Sequence, residues 1–138
     1  MDKHQSTQIV NKYLSAIMQG DLDNIVGLFS DDAFVYTPMQ GRNLPPDEFF
    51  GMLFEASAEV KIKLIDVFLS VEGSGRIAGF FNYAWGLPNG EQVSFDAMDI
   101  FELSPDDQKI RSIVAIYDTH VLRGIGEEYK LTESARDD

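Results

Sequence analysis

The chain has 138 residues, enough for one domain with a sizeable core, and 23 acidic against 11 basic residues give it a formal net charge of −12. This charge disfavours binding to nucleic-acid phosphates and to anionic membranes, and no apolar run is long enough to cross a bilayer. The chain has no cysteine, which excludes disulfides and thiol chemistry, and its polar N-terminus lacks the apolar segment of a secretory signal. We therefore expect a cytoplasmic protein.

Two helices are predicted at the N-terminus. Thr7 suits the N-cap of a helix that ends near Gln19, and Gly20 suits the left-handed position that follows it. Asp21 then suits the N-cap of a second helix. The apolar positions of that second helix are Leu22, Ile25, Val26 and Phe29.

A short strand and a third helix follow. The sequence Ser30-Asp31-Asp32 is expected to end the second helix, so both aspartates are interpreted as structural. A strand is predicted over residues 33–37 and a loop over 41–44. Pro45 and Pro46 suit the first turn of a third helix, which should end near Ala58.

From Val60 onward the apolar period changes from helical to two, which indicates β-strands. Leu87-Pro88-Asn89-Gly90 is expected to form a hairpin turn. Further strands are predicted over residues 76–85, 91–103 and 110–117. Helices followed by a strand meander predict an α+β domain with three helices packed on a curved, mostly antiparallel sheet.

No linker divides this domain, which should span residues 1–123, and residues 124–138 form a polar, acidic tail. The outer face of the predicted sheet has no helix to cover it. Since exposed apolar sheet faces are usually covered, we expect a homodimer through this face. The candidate contact residues are Ile65, Phe80, Met98 and Ile100.

Several sequence segments resemble the ketosteroid isomerase-like superfamily, which includes nuclear transport factor 2 and the SnoaL-like polyketide cyclases. These segments are Gly20-Asp21-Leu22, Leu28-Phe29-Ser30-Asp31-Asp32-Ala33, Asp99-Ile100-Phe101 and Lys109-Ile110-Arg111-Ser112. The resemblance covers residues 7–118. It implies a cone-shaped α+β barrel with a deep apolar pocket.

The resemblance also implies roles for three residues. Tyr13 occupies the position of the tyrosine that ketosteroid isomerases pair with a neutral aspartic acid as an oxyanion hole, and Asp99 occupies the position of that acid. The proton-transferring aspartate of the isomerases precedes a proline, where this chain has Thr37. A threonine hydroxyl is far too weak a base to replace it near neutral pH.

The residues themselves leave two interpretations open for this pair. Asp99 is the polar member of an alternating apolar run, so burial should raise its pKa and let it donate to a ligand carbonyl or enolate. It is equally compatible with a structural aspartate bonded to the backbone or to Tyr13. Tyr13, among apolar helix positions, is either a second donor or a core tyrosine.

The many aromatic residues are also compatible with more than one role. They surround a planar, mostly apolar ligand, fill the cone, or form a dimer face. The predicted ligand-binding residues are Tyr36, Thr37, Phe54, Trp85, Phe101 and Tyr117.

Other ionisable groups offer weaker candidates. Asp118 and His120 follow the last strand and could supply an alternative base, although this spacing is more typical of a solvated strand exit. Two distant histidines and no cysteine give no metal-ligand spacing, so neither a metal nor an organic cofactor is expected.

Two functions remain open from the sequence. The first is an isomerase, cyclase or dehydratase that acts on an apolar, carbonyl-bearing small molecule, with Tyr13 and Asp99 as hydrogen-bond donors. The second is a non-catalytic domain of the same fold that binds a ligand or a protein partner. Loss of the usual base at Thr37 favours the second, whereas a buried Asp99 favours the first.

Overall fold

The computed structural model describes residues 2–123, and the predicted acidic tail lies outside the described residues. This part of the chain folds as an α+β domain, as predicted from the sequence. Its elements in chain order are α1 (Lys3–Gln19), α2 (Leu22–Val26), β1 (Phe29–Tyr36), β2 (Asn43–Leu44), α3 (Pro46–Glu55), β3 (Glu59–Leu69), β4 (Arg76–Gly86), β5 (Gln92–Leu103), β6 (Ile110–Tyr117) and a short 3-10 helix (His120–Leu122).

The six strands form one curved sheet in the order β2-β1-β6-β5-β4-β3. Every neighbouring pair is antiparallel except β1 and β6, which run parallel. Strands β3 to β6 are consecutive hairpin neighbours, as the period-two pattern predicted. A bulge between Leu64 and Asp66 interrupts the register of β3 against β4.

Strict alternation along β4 and β5 gives the sheet two different faces. Odd-numbered residues such as Phe81, Ala97 and Phe101 are buried on the face that packs against the helices. α1 lies close to this face at Gly79, where an added Cβ would be 2.9 Å from Cγ1 of Val10. A glycine at this point of β4 therefore lets the helix approach the sheet closely.

The first helix begins earlier than predicted, because Asp2 rather than Thr7 caps it. The Asp2 carboxylate accepts the Gln5 N–H at 2.8 Å, and the Gln5 side chain accepts the Asp2 N–H at 3.1 Å. This reciprocal capping box satisfies two N–H groups that would otherwise lack partners at the helix start. The predicted end is confirmed, since Gly20 follows Gln19 with a φ of 68°.

The prediction that residues 30–32 end the second helix is wrong. α2 begins after its predicted cap, Asp21, but stops at Val26, and β1 already begins at Phe29. Phe29 pairs with Ile110 of β6, and the Ser30 hydroxyl donates to the Ile110 carbonyl at 3.3 Å. Pairing with a strand eighty residues away therefore overrides the local helical spacing.

Two smaller boundaries also differ from the prediction. Part of the predicted loop over 41–44 forms β2, which pairs with the end of β1. α3 ends at Glu55 rather than near Ala58, because the Ala58 N–H donates to the Gly86 carbonyl at 2.8 Å and so belongs to the start of the sheet. No helix in the described part of the chain is long and apolar enough to cross a membrane.

Candidate functional site

A cavity of about 90 Å³ lies between the helices and the concave face of the sheet. Its volume is several times what one water molecule needs. Most of its wall is apolar and comes from α1, α3 and the inward positions of β1, β4, β5 and β6. The apolar lining residues are Ile17, Val35, Met39, Phe49, Phe50, Leu53, Phe81, Trp85, Phe95, Ala97, Ile113, Ala115 and Leu122.

A few polar side chains complete this lining. They are Tyr13, Thr37, Gln40, Tyr83, Asp99 and Tyr117. Asp99 provides the one carboxyl group among the described residues that line the cavity. An apolar cavity with a small number of convergent polar groups is the usual form of a small-molecule site.

Tyr13 and Asp99 form a hydrogen-bonded pair on the wall of this cavity, with the Tyr13 hydroxyl as donor. Helical spacing turns Tyr13 toward the sheet, and strand alternation turns Asp99 toward the helix, so the two meet in the core. Both are nearly inaccessible to solvent, at 3% and 5% exposure. The tyrosine ring packs at right angles on Phe101, with centroids 5.1 Å apart.

Burial controls the protonation of this pair. Desolvation raises the pKa of Asp99 from 3.8 to about 7, although the hydrogen bond from Tyr13 partly offsets this effect. Burial and then the neighbouring Asp99 raise the pKa of Tyr13 well above its ordinary value. Near neutral pH, therefore, Asp99 exists in both protonation states, whereas Tyr13 remains a neutral donor.

Thr37, at the position of the isomerase base, belongs to a hydrogen-bonded loop. Its hydroxyl oxygen accepts the Gln40 N–H at 3.4 Å and also contacts the Tyr117 hydroxyl. Burial raises the pKa of Tyr117 to about 12, and hydrogen bonds from Thr37 and from the Met39 N–H limit the rise. These contacts fix the orientation of both side chains on one wall of the cavity.

Tyr83 is a site residue that sequence reasoning missed. It lies on β4 with 8% exposure, and its buried hydroxyl has no hydrogen-bond partner among residues 2–123. Its ring packs on Phe95, with centroids 5.3 Å apart. The signal that could have found it is alternation, because Tyr83 shares its strand face with the predicted ligand-binding residue Trp85.

The six predicted ligand-binding residues divide into two groups. Thr37, Trp85 and Tyr117 line the cavity, and the Trp85 indole N–H donates to the Ser57 hydroxyl at 2.9 Å. This contact occupies the polar edge of the indole. The remaining three, Tyr36, Phe54 and Phe101, do not contribute to the described lining.

Each of these three lies elsewhere for a geometric reason. Tyr36 alternates with the lining residue Val35 and so points to the opposite face of β1. Phe101 is fully buried behind Tyr13, and Phe54 packs its ring 6.0 Å from that of Phe50. Their ligand-binding roles stay predictions.

Asp118 and His120 lie at the exposed exit from β6, outside the cavity lining. The Asp118 carboxylate accepts the backbone N–H of His120, the first residue of the 3-10 helix, at 2.9 Å. Within residues 2–123, no three histidine or carboxylate side chains are grouped to hold a metal ion.

A curved, mostly antiparallel sheet packed against three helices, with an apolar cavity between them, places this domain in the cone-shaped α+β class. The family profile of the SnoaL-like domain matches residues 10–113. The protein therefore belongs to the SnoaL-like family, and the resemblance inferred from the sequence is confirmed. No curated protein matches the chain significantly.

Solved structures share this fold at low sequence identity. PrhC from Penicillium brasilianum is 17% identical, with a TM-score of 0.79 over 97% of this chain and 93% of its own. SalBIII, an epoxide hydrolase/cyclase-like enzyme of pyran ring formation in salinomycin, is 24% identical, with a TM-score of 0.73 over 87% and 95% of the two chains. A putative SnoaL-like polyketide cyclase from Shewanella denitrificans is 12% identical, with a TM-score of 0.73 over 89% and 97%. These likenesses establish the fold.

Proposed function

We propose that this protein binds an apolar, carbonyl-bearing small molecule and acts on it as an isomerase, cyclase or dehydratase. The observation that carries the proposal is the Asp99 carboxyl, which is buried in an apolar cavity and hydrogen-bonded to Tyr13. Desolvating a carboxyl costs free energy, and functional sites are where such groups are concentrated.

The chemistry follows from the protonation of the pair. When a ligand carbonyl replaces Asp99 as the acceptor of the Tyr13 hydroxyl, Tyr13 and protonated Asp99 both donate to that oxygen and stabilise the negative charge that develops on enolisation. With a pKa of about 7, the same carboxyl is also matched to proton transfer near neutral pH. As a carboxylate, Asp99 takes the proton next to the ligand carbonyl, which is the base role that Thr37 is unable to perform, and keeps that proton while Tyr13 donates to the enolate oxygen. The reaction proposed needs neither a metal ion nor an organic cofactor.

The structural relatives support this class of reaction. SalBIII is described as epoxide hydrolase/cyclase-like, and the Shewanella denitrificans protein as a putative polyketide cyclase. Both descriptions name a cyclase. The alternative is a non-catalytic binding domain, which the threonine at the usual base position favours.

A series of Asp99 variants tests the proposal by calorimetry with a naphthol, an analogue of a planar enolate. Below the pKa of Asp99, Asp99→Asn should retain much of the wild-type affinity because the amide still donates. Asp99→Leu should lose roughly 1–3 kcal/mol of binding free energy, since a buried donor is removed. Equal affinity in the wild type and Asp99→Leu would mean that the pair is structural.

We also propose that the protein is a homodimer through the outer face of the sheet. On this face Phe80 pairs with Met98, which pairs with Ile116, and Ile100 pairs with Val114. Phe68 and Ile116 are 45% and 52% exposed. Together these residues form a continuous apolar surface of the kind that partners usually cover.

Light scattering at micromolar concentration should give twice the chain mass of 15.5 kDa. Ile116→Glu should shift the protein toward monomer, because a symmetric contact brings the two introduced carboxylates together. Val71→Glu is the control, since it makes the same charge change at a fully exposed position in the turn after β3. A monomer mass for the wild type would contradict the proposal.

A further inference from the structure

The Tyr83 hydroxyl differs from the other donors around the cavity. Tyr13 donates to Asp99, Thr37 contacts Tyr117, and the Trp85 indole N–H donates to Ser57. The Tyr83 hydroxyl is buried to the same degree but has no partner among the described residues. Buried polar groups are almost always paired in native proteins, so an unpaired hydroxyl on a cavity wall calls for an explanation.

The register of the sheet places Tyr83 and Asp99 at different positions along the cavity. Asp99 of β5 is opposite Gly79 of β4, whereas Tyr83 lies four residues further along the same face of β4. At a rise of about 3.4 Å per residue, their backbones are roughly 14 Å apart along the strands. The apolar pair Phe81 and Ala97 lies between them and forms the floor of the cavity.

The surroundings keep the Tyr83 hydroxyl in its donor form. Burial raises its pKa, and the neighbouring Asp99 and Tyr117 raise it further. Tyr83 is thus close enough to Asp99 to sense its charge without being hydrogen-bonded to it. The cavity therefore has two polar positions, the Tyr13–Asp99 pair and the Tyr83 hydroxyl, whose places along the strands are separated by the apolar pair Phe81 and Ala97.

We propose that the Tyr83 hydroxyl binds a second polar group of the ligand, remote from the carbonyl held by Tyr13 and Asp99. The ligand is then a rigid, mostly apolar molecule with two oxygen functions separated by a hydrocarbon frame, such as a hydroxyketone or a diketone. This inference rests on the proposed function and narrows its substrate class, with Tyr83 as a specificity-determining residue.

Calorimetry with two matched sets of probes tests this role. The first probe is a naphthol with one hydroxyl, and the others are naphthalenediols that carry a second hydroxyl on the far ring. The wild type should bind the best-fitting diol about three- to tenfold more tightly than the naphthol, as expected for one additional hydrogen bond. Tyr83→Phe should abolish this preference and leave the affinity for the naphthol unchanged.

Tyr13→Phe is the matched variant at the other end of the cavity, and it should weaken both kinds of probe equally. Thermal unfolding separates recognition from structure: Tyr83→Phe should have a Tm no lower than that of the wild type, because the lost hydroxyl has no protein partner. A lower Tm together with an unchanged diol preference would overturn the inference in favour of a structural hydroxyl.

The outcomes distinguish the two proposals. A diol preference that persists in Tyr83→Phe, or one that the wild type never shows, refutes the role of Tyr83 alone. Equal binding of the naphthol by the wild type and Asp99→Leu refutes the proposed function. In that case, the effect of Tyr83→Phe on the diol preference still shows whether Tyr83 binds a second polar group. Failure of the wild type to bind any of these probes counts against both.

Discussion

The free energy of unfolding of the wild-type protein should fall by about 4 kcal/mol, relative to that of Asp99→Asn, between about pH 3 and about pH 8. The reason is the buried carboxyl. Its pKa is about 7 in the folded protein against an ordinary value of 3.8, and each pKa unit corresponds to about 1.4 kcal/mol.

The direction of this change in unfolding free energy follows from proton binding. Between the two pKa values the folded protein keeps the Asp99 proton while the unfolded chain releases it, so raising the pH favours unfolding. The stabilisation is therefore complete below the unfolded pKa and is lost as the pH rises through the folded pKa. Tyr13, Tyr83 and Tyr117 stay neutral over this range, because burial raises the pKa of each.

Urea denaturation at a series of pH values, with both proteins at one concentration, measures this difference. The Asp99→Asn variant is the control because its amide keeps the shape of the side chain and does not titrate. Contributions from other groups, such as the lowered pKa of Asp107, are present in both proteins and cancel. If the difference in unfolding free energy between the wild type and Asp99→Asn did not change with pH, folding would leave the pKa of Asp99 near its ordinary value.

Most of the correct sequence predictions came from apolar residues that recur with a regular period. The change of period at Val60 predicted the four-strand meander, and β6 has the predicted bounds, Ile110–Tyr117. The stop at Gly20 and the cap at Asp21 were also predictable, because both depend on local backbone chemistry. Local rules were sufficient wherever neighbouring residues alone decide the conformation.

Long-range pairing explains where the prediction failed. Phe29 continues the helical spacing of α2, yet it lies in β1 because β6 supplies a parallel partner from the far end of the chain. The start of α1 failed for a different reason: Asp2 and Thr7 are both good capping residues, and the Gln5 side chain decides between them.

The candidate site shows how much the alternation of side chains along a strand predicts. Alternation correctly turned Asp99 inward, and it turns Phe101 inward as well, since the two are separated by one residue. It does not specify how far along the strand the helix covers the sheet. The Tyr13 ring of α1 packs on Phe101, whereas Asp99, two residues away on the same strand, lines the cavity. How deeply an inward-facing side chain is buried depends on how the helices pack on the sheet.

Phe101→Ala should lower the free energy of unfolding by about 3–5 kcal/mol, the range observed when a fully buried phenylalanine is truncated. Phe101 has 0% exposure, and its ring lies at 90° to that of Tyr13. It pairs with Ile77 on one side and Ile113 on the other, and both are buried. Rigid strands on either side prevent the surroundings from collapsing into the space, so most of the cavity should persist.

Urea denaturation at one pH measures this loss, with two variants for comparison. Phe101→Leu fills most of the same volume and should lose clearly less stability than Phe101→Ala. Val71→Ala truncates a fully exposed side chain and should change the free energy of unfolding by no more than about 0.5 kcal/mol. If Phe101→Ala lost no more than Val71→Ala, the ring would not be part of the packed core behind Tyr13. The rigid placement of the tyrosine beside Asp99 would then need another cause.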